Sequence, residues 1–131
     1  MGHEGLDHFQ DQTANLLLRH RSVLDVLSKL QGSHARTNRA ITKAITQCGC
    51  LQVHAHKQPY TSAHNLEEAR EQFDTHLKGH LCEHCREMVE RELGNHLFYL
   101  ASLCNLLDIR LNDAVEQESE KLSTLGLFNM S

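Results

Sequence analysis

Cys82–Leu107 reads CEHCREMVERELGNHLFYLASLCNLL. Its first four residues place two sulfurs at C-x-x-C spacing, a common half of a tetrahedral metal site. From Met88 onward, apolar residues return every three or four positions, at Met88, Val89, Leu93, Leu97, Leu100, Leu103, Cys104 and Leu107. That period predicts an amphipathic helix, and the stripe is rich enough to put the helix at the centre of the fold. Metal chemistry enters at one end of this segment and the core is built along the rest.

The other half of the metal site lies upstream. Cys48-Gly49-Cys50 is separated from Cys82 by 31 residues. Two close pairs far apart in sequence can each span one edge of a tetrahedron, with the intervening chain closing a loop. Four thiolates suit Zn²⁺, so Cys48, Cys50, Cys82 and Cys85 are the expected ligands. Such a site has no open position and is structural. Cys82 and Cys85 sit at a helix start, where backbone N–H groups favour thiolate charge. Three other readings of the same residues stay open: a Cys₃His site using His54, His56, His80 or His84, a redox-active C-x-x-C, and an iron–sulfur cluster. The redox reading wants a βαβ pattern that this chain lacks. Cys104 falls inside the apolar stripe and reads as a small core residue.

Between the cysteine pairs the helical period stops. In Cys48–Thr61, Leu51, Val53 and Ala55 alternate with Gln52, His54 and His56, an extended pattern closed by Pro59. This excursion offers a short strand or hairpin arm and too little for a full sheet. On its N-terminal side, Leu6–Gln31 reads as one long helix with a stripe through Phe9, Thr13, Leu16, His20, Val23, Leu27 and Leu30. Gly32 and Ser33 read as its stop and the next cap. A second helix over Ser33–Gln47 would then complete an antiparallel hairpin across 6–47. On the other side, a third helix starts at Ser62–Asn65 and presents Leu66, Ala69, Phe73 and Leu77. A short last helix covers Ala114–Leu122, and the tail carries Leu125, Leu127 and Phe128 to a core or to a second subunit.

The fold expected is therefore all-α: an antiparallel helical bundle in one domain over 1–131, with a zinc-pinned extended excursion between helices two and three. Composition agrees. The chain has 131 residues, one proline, no tryptophan and 5% aromatics, with the leucine, alanine and glutamate that favour helix. A net charge of −4 is not that of a dedicated nucleic-acid binder. No apolar run approaches the roughly eighteen residues of a membrane span, and the N-terminus shows no signal-peptide pattern. The default expectation is cytoplasmic, where five cysteines serve as ligands or core residues before disulfides. Arg36, Arg39 and Lys43 share one helical face, either as a solvated basic surface or as a contact for an anion such as phosphate. DNA binding through that face would show steep salt dependence, and the acidic balance argues against it. The wide stripe of the first helix points to a homo-oligomer.

A second constellation is acidic. Glu67, Glu68 and Glu71 lie on the third helix and Glu92 and Asn95 on the fourth, each set stepping by three along its helix. If those helices pack antiparallel, their oxygens converge on a point that suits Mg²⁺ or Mn²⁺. Otherwise they are solvated helix charges. The segment Glu92–Leu111, ELGNHLFYLASLCNLLDIRL, resembles the second half of MazG-like nucleoside triphosphate pyrophosphohydrolases. Glu67, Glu68 and Glu71 match the family's E-E-x-x-E, Glu92 matches the Glu of its later E-x-x-D, and twenty residues lie between Glu71 and Glu92. The resemblance covers roughly residues 65–122. It implies an all-α enzyme that binds Mg²⁺ through these carboxylates and cleaves nucleoside triphosphates to monophosphate and pyrophosphate. Glu68, Glu71, Glu92 and Asn95 would form the catalytic site, with Glu67 beside them. Asn95 stands where the family has Asp, which removes one negative charge, and Cys82–Cys85 interrupts the stretch between the motifs. The competing expectation is a non-enzymatic zinc-binding scaffold or protein-interaction module.

Overall fold

A computed structural model describes residues 2–16, 22–59 and 65–130. Among these, the helices are α1 (Gly2–Leu16), α2 (Val23–Lys43), α3 (Leu66–Gln72), α4 (Glu83–Leu106) and α5 (Leu111–Met130), and the strands are β1 (Leu51–Val53) and β2 (Leu77–Gly79). The fold is all-α, with the cysteine-bearing excursion between α2 and α3.

α4 is the spine. α2 runs antiparallel along its N-terminal two-thirds, and α1 crosses nearer its C-terminal end. The α2–α4 seam is polar as well as apolar. Ser33, fully buried, donates its hydroxyl to the Leu30 carbonyl at 2.7 Å and meets His96 Nδ1 at 2.8 Å. Further along, Arg36 donates to Asn95 Oδ1 at 2.8 Å and pairs with Glu92 at 3.4 Å. This seam corrects the expected break at Gly32-Ser33. The helix passes through both residues because Ser33 fits against α4, and packing outweighs the weak helix propensity of glycine. No helix–turn–helix unit divides at residue 32, and α1 and α2 each lean on α4 more than on each other. Of the expected stripe of the first helix, His20 lies outside the described residues.

The other end of α4 is held by a buried amide network. Gln10 and Thr13 of α1 are 1% and 2% exposed. Gln10 Nε2 donates to Asn105 Oδ1 at 3.0 Å and to the Ile109 carbonyl at 2.8 Å, while its Oε1 accepts the Leu111 N–H at 2.8 Å. Asn105 Nδ2 donates in turn to the Gln10 carbonyl and to Thr13 Oγ1. Leu111 opens α5, so Gln10 supplies an acceptor to one of the N–H groups that a helix start leaves unpaired. Outside this network, Arg110 pairs with Asp7 at 2.9 Å and Asp11 at 3.2 Å.

Three further boundaries differ from expectation. α3 ends at Gln72, and Leu77 belongs to β2, which pairs antiparallel with β1 in the register Leu51–Gly79, Gln52–Lys78, Val53–Leu77. Gln58 and Asp74 exchange side-chain and backbone hydrogen bonds across the two strand ends, at 2.8 and 3.1 Å; such pairing competes with a longer helix. The last helix begins at Leu111 and runs to Met130, absorbing what reads as a tail. Along α4, Leu93, Leu97 and Leu107 are about half exposed, whereas Val89, Ala101 and Ser102 are buried. The face turned to α2 and α1 is thus set by small and polar residues, and several leucines are left outside. Asn65 caps α3 by accepting the Glu68 N–H at 2.7 Å.

The amide network should dominate the stability of the α1–α4–α5 corner. Gln10→Ala leaves the Leu111 N–H and the Asn105 amide without their buried partner, so a loss of about 2–3 kcal/mol is expected in urea unfolding. Asp11→Ala removes only an exposed ion pair and should cost less than about 1 kcal/mol.

Candidate metal centre

The cysteine cluster forms where α2 ends and α4 begins. α2 widens into a π turn over Ala44–Cys48, closed by the Gly49 N–H donating to the Ala44 carbonyl at 2.9 Å. Gly49 then takes φ +80, a left-handed conformation that glycine adopts without strain, and reverses the chain into Cys50 and β1. Cys82 is the N-cap residue of α4; its Sγ accepts the Cys85 N–H at 3.4 Å. The four Sγ atoms of Cys48, Cys50, Cys82 and Cys85 all lie within 4.8 Å of one another. Cys48 Sγ is 3.8 Å from Cys82 Sγ, which matches the roughly 3.8 Å edge of a tetrahedron built on metal–sulfur bonds of about 2.3 Å. The donor set therefore fits a tetrahedral metal ion. Among the described residues, none of His54, His56, His80 and His84 joins the cluster, so the four-sulfur set is favoured over the Cys₃His alternative.

The surroundings support a closed structural site. Ala44, Leu51 and Cys85 form a buried apolar cluster, backed by Ile45 and Leu81. Leu51 comes from β1 and is held there by β2. A Cβ at Gly79, whose φ is +82, would run into the Cys50 carbonyl oxygen; glycine therefore lets β2 approach the cysteine loop. Without metal, the sulfurs share protons unequally. The Cys85 N–H, then the Cys85 thiol, lower Cys82 to about 7. Hydrogen bonding to Cys82, then burial, pushes Cys85 up to about 12. Cys104 stands apart from the cluster, partly buried, and burial raises its thiol pKa.

The acidic residues are distributed differently. Glu92 and Asn95 come together, and their common partner is Arg36. Glu67 and Glu71 are exposed on α3, and Glu68 accepts from Gln72 at 3.3 Å. α3 packs on α5 and has little contact with α4. Among the described residues, no three carboxylates from Glu67, Glu68, Glu71 and Glu92 converge on one point. Arg36 as the partner of Glu92 escapes a reading of the sequence, since 56 positions separate them. The shared face of Arg36, Arg39 and Lys43 was the available signal. These three line a cavity of about 430 Å³ between α2 and α4, with Ala40, Met88 and Glu92 among its other walls.

Fold and site together define an all-α protein with a four-cysteine cluster fit to hold a metal ion. Set against known proteins, the chain matches no family model, no curated protein and no solved structure. No helix among the described residues is long and apolar enough to cross a membrane.

Cys50→Ser and Cys82→Ser should each bind metal below one equivalent and melt at lower temperature than the parent, read by elemental analysis and thermal denaturation. Full metal content with an unchanged Tm in either variant would refute the four-sulfur assignment. Metal loading should also release protons. Below about 7, Cys82 carries one more proton to displace, so the number released per metal should rise as pH falls through that value. Calorimetry in buffers of different ionisation enthalpy measures it.

Proposed function

We propose that this chain is a non-enzymatic, zinc-stabilised helical scaffold that assembles with copies of itself. The observation that carries the reading is the closed four-sulfur cluster, which joins the end of α2, the start of β1 and the start of α4. Four thiolates in a tetrahedron favour Zn²⁺, which holds this geometry without redox chemistry. With no ligand position left for water, zinc here serves architecture.

The surface supports self-assembly. Val115, Leu122 and Leu125 form an exposed stripe on α5, and Leu93 and Leu97 another on α4. These stripes are the surfaces expected to be covered.

The competing reading is a MazG-like pyrophosphohydrolase. It needs Glu68, Glu71 and Glu92 around one divalent ion. The ion pair of Glu92 with Arg36 and the packing of α3 on α5 favour the scaffold instead.

Two measurements test the proposal. Light scattering after size exclusion should give an oligomer for the zinc-loaded chain, and Leu122→Glu should shift it toward monomer; a monomeric parent would overturn the self-assembly reading. Incubation with nucleoside triphosphates and Mg²⁺ or Mn²⁺ should release no pyrophosphate. Release that disappears in Glu92→Gln would establish the enzyme instead.

A further inference from the structure

We propose that the cleft between α2 and α4 binds a small phosphate monoester, with Arg39 and Lys43 holding the phosphate and Ala40 and Met88 supporting the organic group. The cleft encloses about 430 Å³, a volume that suits a small molecule. Arg36, Arg39 and Lys43 share one wall, and Glu92 faces them from α4. The Arg36 side chain is committed to Glu92 and to Asn95. Among the described residues, Arg39 and Lys43 have no ion pair and no hydrogen-bonding partner. Their cations remain available in a concavity of a chain whose net charge is −4.

The spacing selects the ligand class. Arg39 and Lys43 are four positions apart, so their Cβ atoms lie about 6 Å apart on one helical face. Both head groups can reach one tetrahedral dianion, Arg39 with two parallel N–H donors and Lys43 as a point charge. A phosphate monoester carries that dianion on an organic body, and Ala40 and Met88 offer an apolar surface for it. The carboxylate of Glu92 on the facing wall and the net charge of −4 disfavour a nucleic-acid duplex.

A different role for the same cations must be separated from this one. Zinc with four thiolates carries a net charge of −2, and Cys48 and Cys85 also border the cleft. Arg39 and Lys43 could then serve only to balance that charge. The zinc-loaded chain is therefore titrated with phenyl phosphate and with inorganic phosphate by calorimetry, and amide shifts of Ala40 and Met88 are followed by NMR. Saturable binding of phenyl phosphate is expected, tighter than that of inorganic phosphate. The Arg39→Gln, Lys43→Gln double variant should keep its helicity and zinc and bind phenyl phosphate about tenfold more weakly or worse, the loss of charge-assisted hydrogen bonds. The proposal is overturned if the parent binds neither probe, if the double variant binds as tightly as the parent, or if its main defect is zinc loss. It also falls if duplex DNA displaces phenyl phosphate with steep salt dependence, because the site would then be a nucleic-acid surface.

Discussion

α4 packs against α2 along a seam of mixed apolar and polar side chains, and the rest of the structure depends on how that seam is held. Among the described residues, the buried apolar side chains are few: Val26, Ala44, Leu51, Cys85, Val89, Ala101 and Leu111. A core of that size gives little hydrophobic stabilisation for a chain of this length. Polar cross-links compensate at the two ends of the spine. At its start, four sulfurs draw together the end of α2, the cysteine loop and the N-cap. At its finish, Gln10, Thr13 and Asn105 satisfy one another and the first N–H of α5.

The two anchors differ in kind. The amide network is complete in the protein alone, and no buried side-chain nitrogen or oxygen among the described residues lacks a partner. Such a network fixes register, because a shift of one residue would orphan several buried groups at once. The sulfur cluster is conditional. Its geometry is formed, but protons and a metal ion compete for the same lone pairs. A metal ion held there would tie folding of the region around β1, β2 and the start of α4 to metal supply, whereas the α1–α4–α5 corner is joined by hydrogen bonds of the chain itself.

Function follows from what this economy leaves outside. Leucines that a larger core would absorb remain on the surface of α2, α4 and α5, and the proposal of self-assembly rests on them. The α2–α4 seam leaves a cleft beside the four-cysteine cluster, lined by Arg36, Arg39, Lys43, Met88 and Glu92. One pair of helices thereby carries the seam that defines the fold, one wall of the sulfur cluster and the cavity proposed for an anionic ligand.

By itself the sequence determined whatever depends on near neighbours and on side-chain chemistry. Helical class follows from period and composition. The caps at Asn65 and Cys82 are set by residues within a turn of them. The cysteine pairs announce a four-sulfur site because C-x-C and C-x-x-C each span one edge of a tetrahedron. Tertiary structure decided what depends on distant partners. Gly32 and Ser33 look like a helix boundary, yet the chain stays helical because Ser33 is buried against His96, 63 positions away. Leu77 looks like part of a helix, yet it pairs with Val53 on a strand. Glu92 pairs with Arg36, a partner 56 positions away that no local pattern announces. At Gly32-Ser33 the local preference is worth about 1 kcal/mol or less, and the buried contact of Ser33 made once the chain has folded exceeds it.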